Sequence, residues 1–238
     1  MANTTQRGSF IVFEGLDRSG KSTQCRRLEE KLKQAGRTVE SIRFPGQLNL
    51  QSTYQDRTTA IGQMINSYLC QTSELDDHAI HLLFAANRWE KSADIHTTLR
   101  SGTTIICDRY AFSGTAFTAA KFSIRTPPEP EPIATLACAD RGLPLPDLVI
   151  FLTLGDQSLD NREGFGRERY ENTELQDEVK RQFTQVVRPY FEEIHGRDRW
   201  VNVDATGTIE EVEQRIWHVV DNHLQNFVPQ STGKLWVA

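Results

Sequence analysis

The run Gly15-Leu16-Asp17-Arg18-Ser19-Gly20-Lys21-Ser22 has the spacing G-x-x-x-x-G-K-S. Glycines at both ends let a backbone wrap an anion with its N–H groups turned inward, and a helix starting there adds a favourable dipole. Lys21 would reach the β- and γ-phosphates of a bound nucleotide, and the Ser22 hydroxyl would ligate Mg²⁺. The motif alone does not choose a reaction. A GTPase also needs a D-x-x-G switch and an N-K-x-D base-reading motif, and neither is present. The loop interior is unusual in holding Asp17 and Arg18. Either these charges touch something other than the donor's phosphates, or they are solvated.

Two further clusters carry chemistry. Asp108-Arg109-Tyr110 follows the apolar run Ile105-Ile106-Cys107. At a strand's carboxyl end an Asp can hold Mg²⁺ through water and an Arg can clamp a second phosphate. The same pair could instead form an ion pair capping a helix. Phe84 and Arg88 stand four apart in a helical pattern, so they share a face. A ring beside a guanidinium suits a nucleobase, by stacking and by donation to a base carbonyl. Phe84 also suits a core position. Leu82, Leu83 and Trp89 provide core of their own, which favours the binding role.

These residues need a scaffold that brings strand ends together. Ser9–Glu14 reads as a buried strand, and a helix follows with Cys25, Leu28, Leu32 and Ala35 on one stripe until Gly36 ends it. Thr38–Phe44 is a second strand, which makes a βαβ unit and implies a parallel sheet. Residues 58–70, 77–100, 111–122, 172–195 and 208–225 read as helices, and 103–107, 147–153 and 200–203 as strands. Thr126–Pro132 is a stiff connector. The alternation predicts a three-layer α/β/α fold with a central parallel sheet of about five strands, in one domain over residues 9–227. Residues 1–8 and 228–238 read as polar tails.

Composition narrows the class. With 238 residues, 38% hydrophobic and 25% charged, the chain can bury a core without metal or disulfide staples. Lys and Arg number 27 against 32 Asp and Glu, a net charge of −5, which speaks against a nucleic-acid-coating protein. Cys25, Cys70, Cys107 and Cys138 are widely spaced, as buried reduced thiols are and zinc ligands are not. The Met1–Ser9 segment lacks a leader's apolar core, and no run approaches the ~18 apolar residues of a membrane helix. A soluble protein of the cytoplasm, with the nucleus as a second address and no membrane partner, is the expectation.

Taken together, the motifs resemble those of the thymidylate kinases, which move the γ-phosphoryl of ATP onto dTMP. The resemblance rests on Gly15–Thr23, Phe44-Pro45, Ala79–Glu90, Asp108–Gly114, Gly142–Asp147 and Gly166–Glu171, in family order. It implies a P-loop kinase fold, Mg²⁺ as cofactor and a homodimer. Ser19, Gly20, Lys21, Ser22 and Thr23 would hold ATP, with Arg162 approaching from a lid at about 158–170. Ser22 and Asp108 would hold the metal. Arg18 would be an internal arginine finger of the eukaryotic type. Arg18, Lys21, Asp108 and Arg109 would form the catalytic set. For dTMP, Asp17 would accept the sugar 3′-OH, Phe84 would stack on thymine and Arg88 would donate to its carbonyl. Ser113, Gly114, Phe117 and Tyr170 would line that pocket, Arg109 would bind the monophosphate, and Tyr110 would crowd the 2′ position. Phe44 and Pro45 belong to the same site.

One departure stands out. The family has an acidic residue and an arginine directly after Phe-Pro, the arginine gripping the acceptor phosphate. Here residues 46–55 intervene before Asp56-Arg57. The simplest reading is a ten-residue insertion; either it loops out and Arg57 still reaches the pocket, since loop closure costs little more as a loop lengthens, or it displaces Arg57 and weakens acceptor binding. Two other functions fit the phosphate loop: a kinase for another pyrimidine nucleotide or nucleoside, and a nucleotide-binding module without catalysis.

Overall fold

Five short strands form the sheet: β1 (Phe10–Gly15), β2 (Val39–Arg43), β3 (Thr104–Asp108), β4 (Leu148–Thr153) and β5 (Trp200–Asp204). Their order is β2-β3-β1-β4-β5, and every pairing is parallel. β1 and β3 are buried along their whole length. That is why both read as continuous apolar runs without alternation. The structure, a computed structural model, describes residues 6–45, 59–125, 130–155, 169–170 and 172–237.

Helices cover both faces of the sheet. α1 (Lys21–Gln34) packs with α8 (Ile209–Asn226). A second group contains α2 (Ala60–Leu69), α3 (Asp77–Arg100), α4 (Ala111–Ser123), α5 (Ile133–Cys138), α6 (Thr173–Gln182) and α7 (Arg188–His195). Four of these eight helices are capped by a local side chain: Thr59 for α2, Asp76 for α3, Asn172 for α6 and a capping box at Thr208 for α8. Each satisfies an N–H that the helix itself leaves orphaned. α1, α4, α5 and α7 lack such a cap; of these, α1 begins at the phosphate loop and α4 after Asp108-Arg109. The expected helix over 172–195 is interrupted by a π-helical turn, Phe183–Val187. Pro189 follows within α7 and has no N–H to offer the ladder.

Several expectations change. Ala35 is the exposed C-cap of α1 and not part of its buried stripe. Leu82 and Trp89 are 58% and 42% exposed, so they do not form core; Leu83 and Phe84 pack against Ile65, Tyr68, Leu69 and Ile80 instead. Cys25 and Cys107 are buried thiols, whereas Cys70 and Cys138 are exposed. The polar stretches at the two ends also dock. Arg7 forms a bidentate pair with Asp147, both bonds 2.7 Å, and Gly8 is buried with its N–H on Leu99 O.

Near the other end, Lys234 bridges Pro144 in antiparallel fashion. Gly142 and Leu145 donate to Leu235 and Gly233, and Leu235 donates back to Leu143. Leu235 and Trp236 are buried, the indole against Phe112, Tyr190 and Phe191. Polarity alone hid this: two large apolar residues in a polar stretch are enough to anchor it. Leu235→Ala should therefore cost about 2–5 kcal/mol of folding stability. Urea unfolding measures this, and an unchanged midpoint would show that the segment is dispensable to the core.

Candidate active site

Strand order reverses beside β1, which has β3 on one side and β4 on the other. Open parallel sheets bind ligands at the carboxyl ends of strands at such a point. The loop Leu16–Gly20 leaves β1 there, and Gly20 takes φ 93 as the first residue before α1. A residue with a Cβ is strained in that conformation. Arg18 and Arg109 also have positive φ, 59 and 67.

Within the loop, Lys21 Nζ donates to the Gly15 and Leu16 carbonyls at 3.0 and 2.5 Å and to Ser19 Oγ at 3.2 Å. Burial, and secondarily the nearby Arg109 charge, lower its pKa to about 7. Ser22 Oγ donates to Asp108 Oδ2 at 2.6 Å, and Arg43 lies 3.5 Å from the same oxygen. Asp108 Oδ1 is buried without a hydrogen-bond partner among the described residues. An orphaned carboxylate oxygen beside a serine hydroxyl is a donor set suited to a hard divalent cation.

Arg109 is the hub of the adjoining surface. Its Nη1 donates to Gly15 O at 3.2 Å and to Ser113 Oγ at 3.0 Å, and its Nη2 pairs with Asp17. Gln176 of α6 holds Asp17 from the other side, its Nε2 on Oδ2 at 2.6 Å and its Oε1 accepting the Asp17 N–H at 3.1 Å. Glu14, buried under the loop, accepts from the Tyr110 and Ser113 N–H groups and from the Ser113 hydroxyl. Burial raises its pKa, while Arg109 and these donors pull it back.

A cavity opens from this hub. Its lining includes Asp17, Phe44, Pro45, Phe84, Arg88 and Arg109, and on the α4 side Tyr110, Ser113, Gly114 and Phe117, with Tyr170. Phe84 and Arg88, which the spacing puts on one helix face, thus line the same cavity as the strand-end residues Arg109 and Tyr110. Arg88 is buried, with Nε and Nη2 on the two Asp140 oxygens at 2.8 and 2.7 Å. Its guanidinium lies against Gly114, where an added Cβ would come within 2.8 Å of Nη2. Tyr110 stands between Phe10 and Phe44, with its hydroxyl on Pro144 O at 3.1 Å. Burial raises that phenol's pKa well above its ordinary value. The Phe117 and Tyr170 rings pack at a tilt, their centroids 5.4 Å apart.

Arg57, Arg162, the 46–55 segment and residues 158–168 of the expected lid lie outside the described residues. Sequence reasoning missed Glu14, Asn87, Thr118, Asp140 and Gln176, of which Asn87 and Thr118 line the cavity. Glu14 left a signal, an acid inside an otherwise apolar buried strand. Asp140 left none, being 52 residues from Arg88.

Comparison with known proteins finds relatives along nearly the whole chain. A thymidylate kinase family model matches residues 13–216. The chain is 42% identical over 233 residues to the thymidylate kinase of Danio rerio, covering 97% of this chain and 98% of that one. It is 41% identical over 233 residues to that of Homo sapiens, with the same coverage. For Schizosaccharomyces pombe the identity is 43% over 220 residues, or 91% of this chain and 93% of the relative. A solved thymidylate kinase structure from Candida albicans superimposes with a TM-score of 0.79 at 37% identity, covering 98% of this chain and all of that one. No helix among the described residues is long and apolar enough to cross a membrane. From phosphate loop to cavity wall, the chain belongs to the thymidylate kinase family.

Proposed function

We propose that this chain transfers the γ-phosphoryl group of ATP to dTMP, with ATP on the Ser19–Thr23 side of the loop and dTMP in the cavity beyond Arg109. The observation that carries this reading is the joining of the phosphate loop to an aromatic- and guanidinium-lined cavity through the Asp17–Arg109 pair. Phosphoryl transfer passes through a loose, in-line transition state, so the protein's work is positioning and charge stabilisation. Lys21 and the loop N–H groups neutralise the donor's phosphates. Arg18 bridges donor and acceptor, and Arg109 holds the acceptor's monophosphate. Asp17 takes the sugar 3′-OH, and Phe84 stacks on thymine while Arg88 donates to its carbonyl. Tyr110, fixed by Phe10, Phe44 and Pro144, forms a rigid wall that disfavours a 2′-OH. Ser22 and Asp108 would hold Mg²⁺, supported by the unpartnered Asp108 Oδ1. When bound, the ion offsets phosphate charge.

A homodimer accompanies this reading. Leu82 and Trp89, seven residues apart on α3 and both exposed, give one helix face an apolar surface suited to self-association. The cytoplasmic or nuclear address rests on the sequence expectation alone.

The decisive measurement is coupled ADP release with ATP and Mg²⁺ against dTMP, dUMP, UMP, CMP, AMP and GMP. dTMP should be the best acceptor. Preference for another nucleotide would reassign the substrate, and nucleotide binding without ADP release would mark a non-catalytic module. Arg18→Ala should lower kcat at least ~10²-fold with little change in ATP affinity, since arginine fingers are typically worth 10³–10⁵-fold; an unchanged kcat would remove Arg18 from the mechanism. Asp140→Asn leaves a buried guanidinium without its countercharge. It should destabilise the fold by about 3–5 kcal/mol and raise the KM for dTMP. An unaltered melting temperature and KM would show that Arg88 does not depend on Asp140.

A further inference from the structure

Glu14 is fully buried at the end of the central strand, and none of the proposed contacts with substrate involves it. Helix α4 begins at Ala111 without a cap from its own Tyr110. Glu14 takes that place from a neighbouring strand. Its Oε1 accepts the N–H groups of Tyr110 and Ser113 at 2.9 and 3.1 Å, and its Oε2 accepts the Ser113 hydroxyl at 2.5 Å. A serine hydroxyl has one proton. Once that proton is given to Glu14, Ser113 Oγ can offer only lone pairs elsewhere, and Arg109 Nη1 donates to it at 3.0 Å. Nη1 also reaches Gly15 O, the residue next to Glu14, so a single turn of β1 steers the guanidinium twice. The Arg109 backbone, with φ 67, is braced by the Cys107 thiol donating to its carbonyl at 2.9 Å.

We infer that Glu14 is a positioning residue for the reaction. Acting through the fixed polarity of Ser113, it holds the Arg109 guanidinium in the orientation that grips the acceptor's monophosphate. This rests on the reading of Arg109 as the monophosphate clamp. A carboxylate is required because both oxygens must accept. In Glu14→Gln the amide oxygen can still take the two N–H groups. The amide nitrogen then donates toward Ser113 Oγ and turns the hydroxyl proton toward Arg109, so two donors face each other.

The test compares dissociation constants for dTMP and thymidine, which differ by the phosphate, on the full chain and its E14Q, S113A and R109A variants. Calorimetry reads both ligands, and circular dichroism verifies folding. E14Q and S113A should each weaken dTMP at least ~10-fold, the scale of a lost charge-assisted contact, while thymidine affinity holds. R109A should abolish the preference for dTMP over thymidine. If R109A abolishes that preference while E14Q and S113A keep it, the Glu14 inference is overturned and the clamp stands. If R109A keeps the preference, the clamp reading itself fails. Equal weakening of dTMP and thymidine in E14Q and S113A would mean that Glu14 only supports the fold. Should E14Q not fold, S113A decides alone, because it removes the same relay and leaves the Glu14 cap on α4 in place.

Discussion

Four charged side chains, Glu14, Lys21, Asp108 and Arg109, are buried together where β1 and β3 end. Taking ions out of water is costly unless each finds a partner and a full set of hydrogen bonds. The groups around them answer that cost one by one. Backbone carbonyls of Gly15 and Leu16 receive Lys21, Asp17 receives Arg109, Ser22 satisfies one oxygen of Asp108, and α4's N-terminus satisfies Glu14. The remainder of the fold keeps these partners in place. Parallel pairing of β1 with β3 sets Phe13 opposite Asp108, so a single register fixes the distance between phosphate loop and strand-end cluster. Burial above all, and then the Arg109 charge, still lowers the pKa of Lys21 to about 7.

Much of the architecture was legible in the chain because its signals are local. A buried parallel strand must be apolar on both faces, and Phe10–Phe13 and Ile105–Cys107 are. The phosphate loop was legible for a similar reason: the glycines and the Lys21-Ser22 pair have to be adjacent to work. Phe84 and Arg88 were legible as a pair, though for a partly mistaken reason. The pattern places Leu82 and Trp89 in the core, yet both are exposed, and Phe84 packs with Leu83 against another cluster.

What stayed hidden depends on contacts between distant segments. Arg88 needs Asp140, Asp17 needs Gln176, and Tyr110 needs Pro144, which the docked Lys234–Trp236 segment holds. No periodicity encodes such pairings, since each partner looks ordinary in its own window. The local composition of residues 228–238 pointed toward a solvated tail. It was outweighed by the free energy of burying one leucine and one tryptophan against a ready-made aromatic cluster.

Arg18 and Arg109 share a backbone conformation that glycine adopts freely and arginine does not. Holding a side-chain-bearing residue there costs on the order of 1–3 kcal/mol per position. On the proposed roles of these two arginines, the chain carries a standing tension between durability and work at both positions. Arg18→Gly or Arg109→Gly would relax the main chain while removing a cation from the phosphates. Selection for heat resistance alone would drift toward such sequences, because stabilising changes at strained working positions tend to come at the expense of function. Gln71 and Trp236 share the positive φ without lining the cavity, so the conformation by itself marks no function. On the roles proposed above for Arg18 and Arg109, it is at these two positions that activity is favoured over robustness.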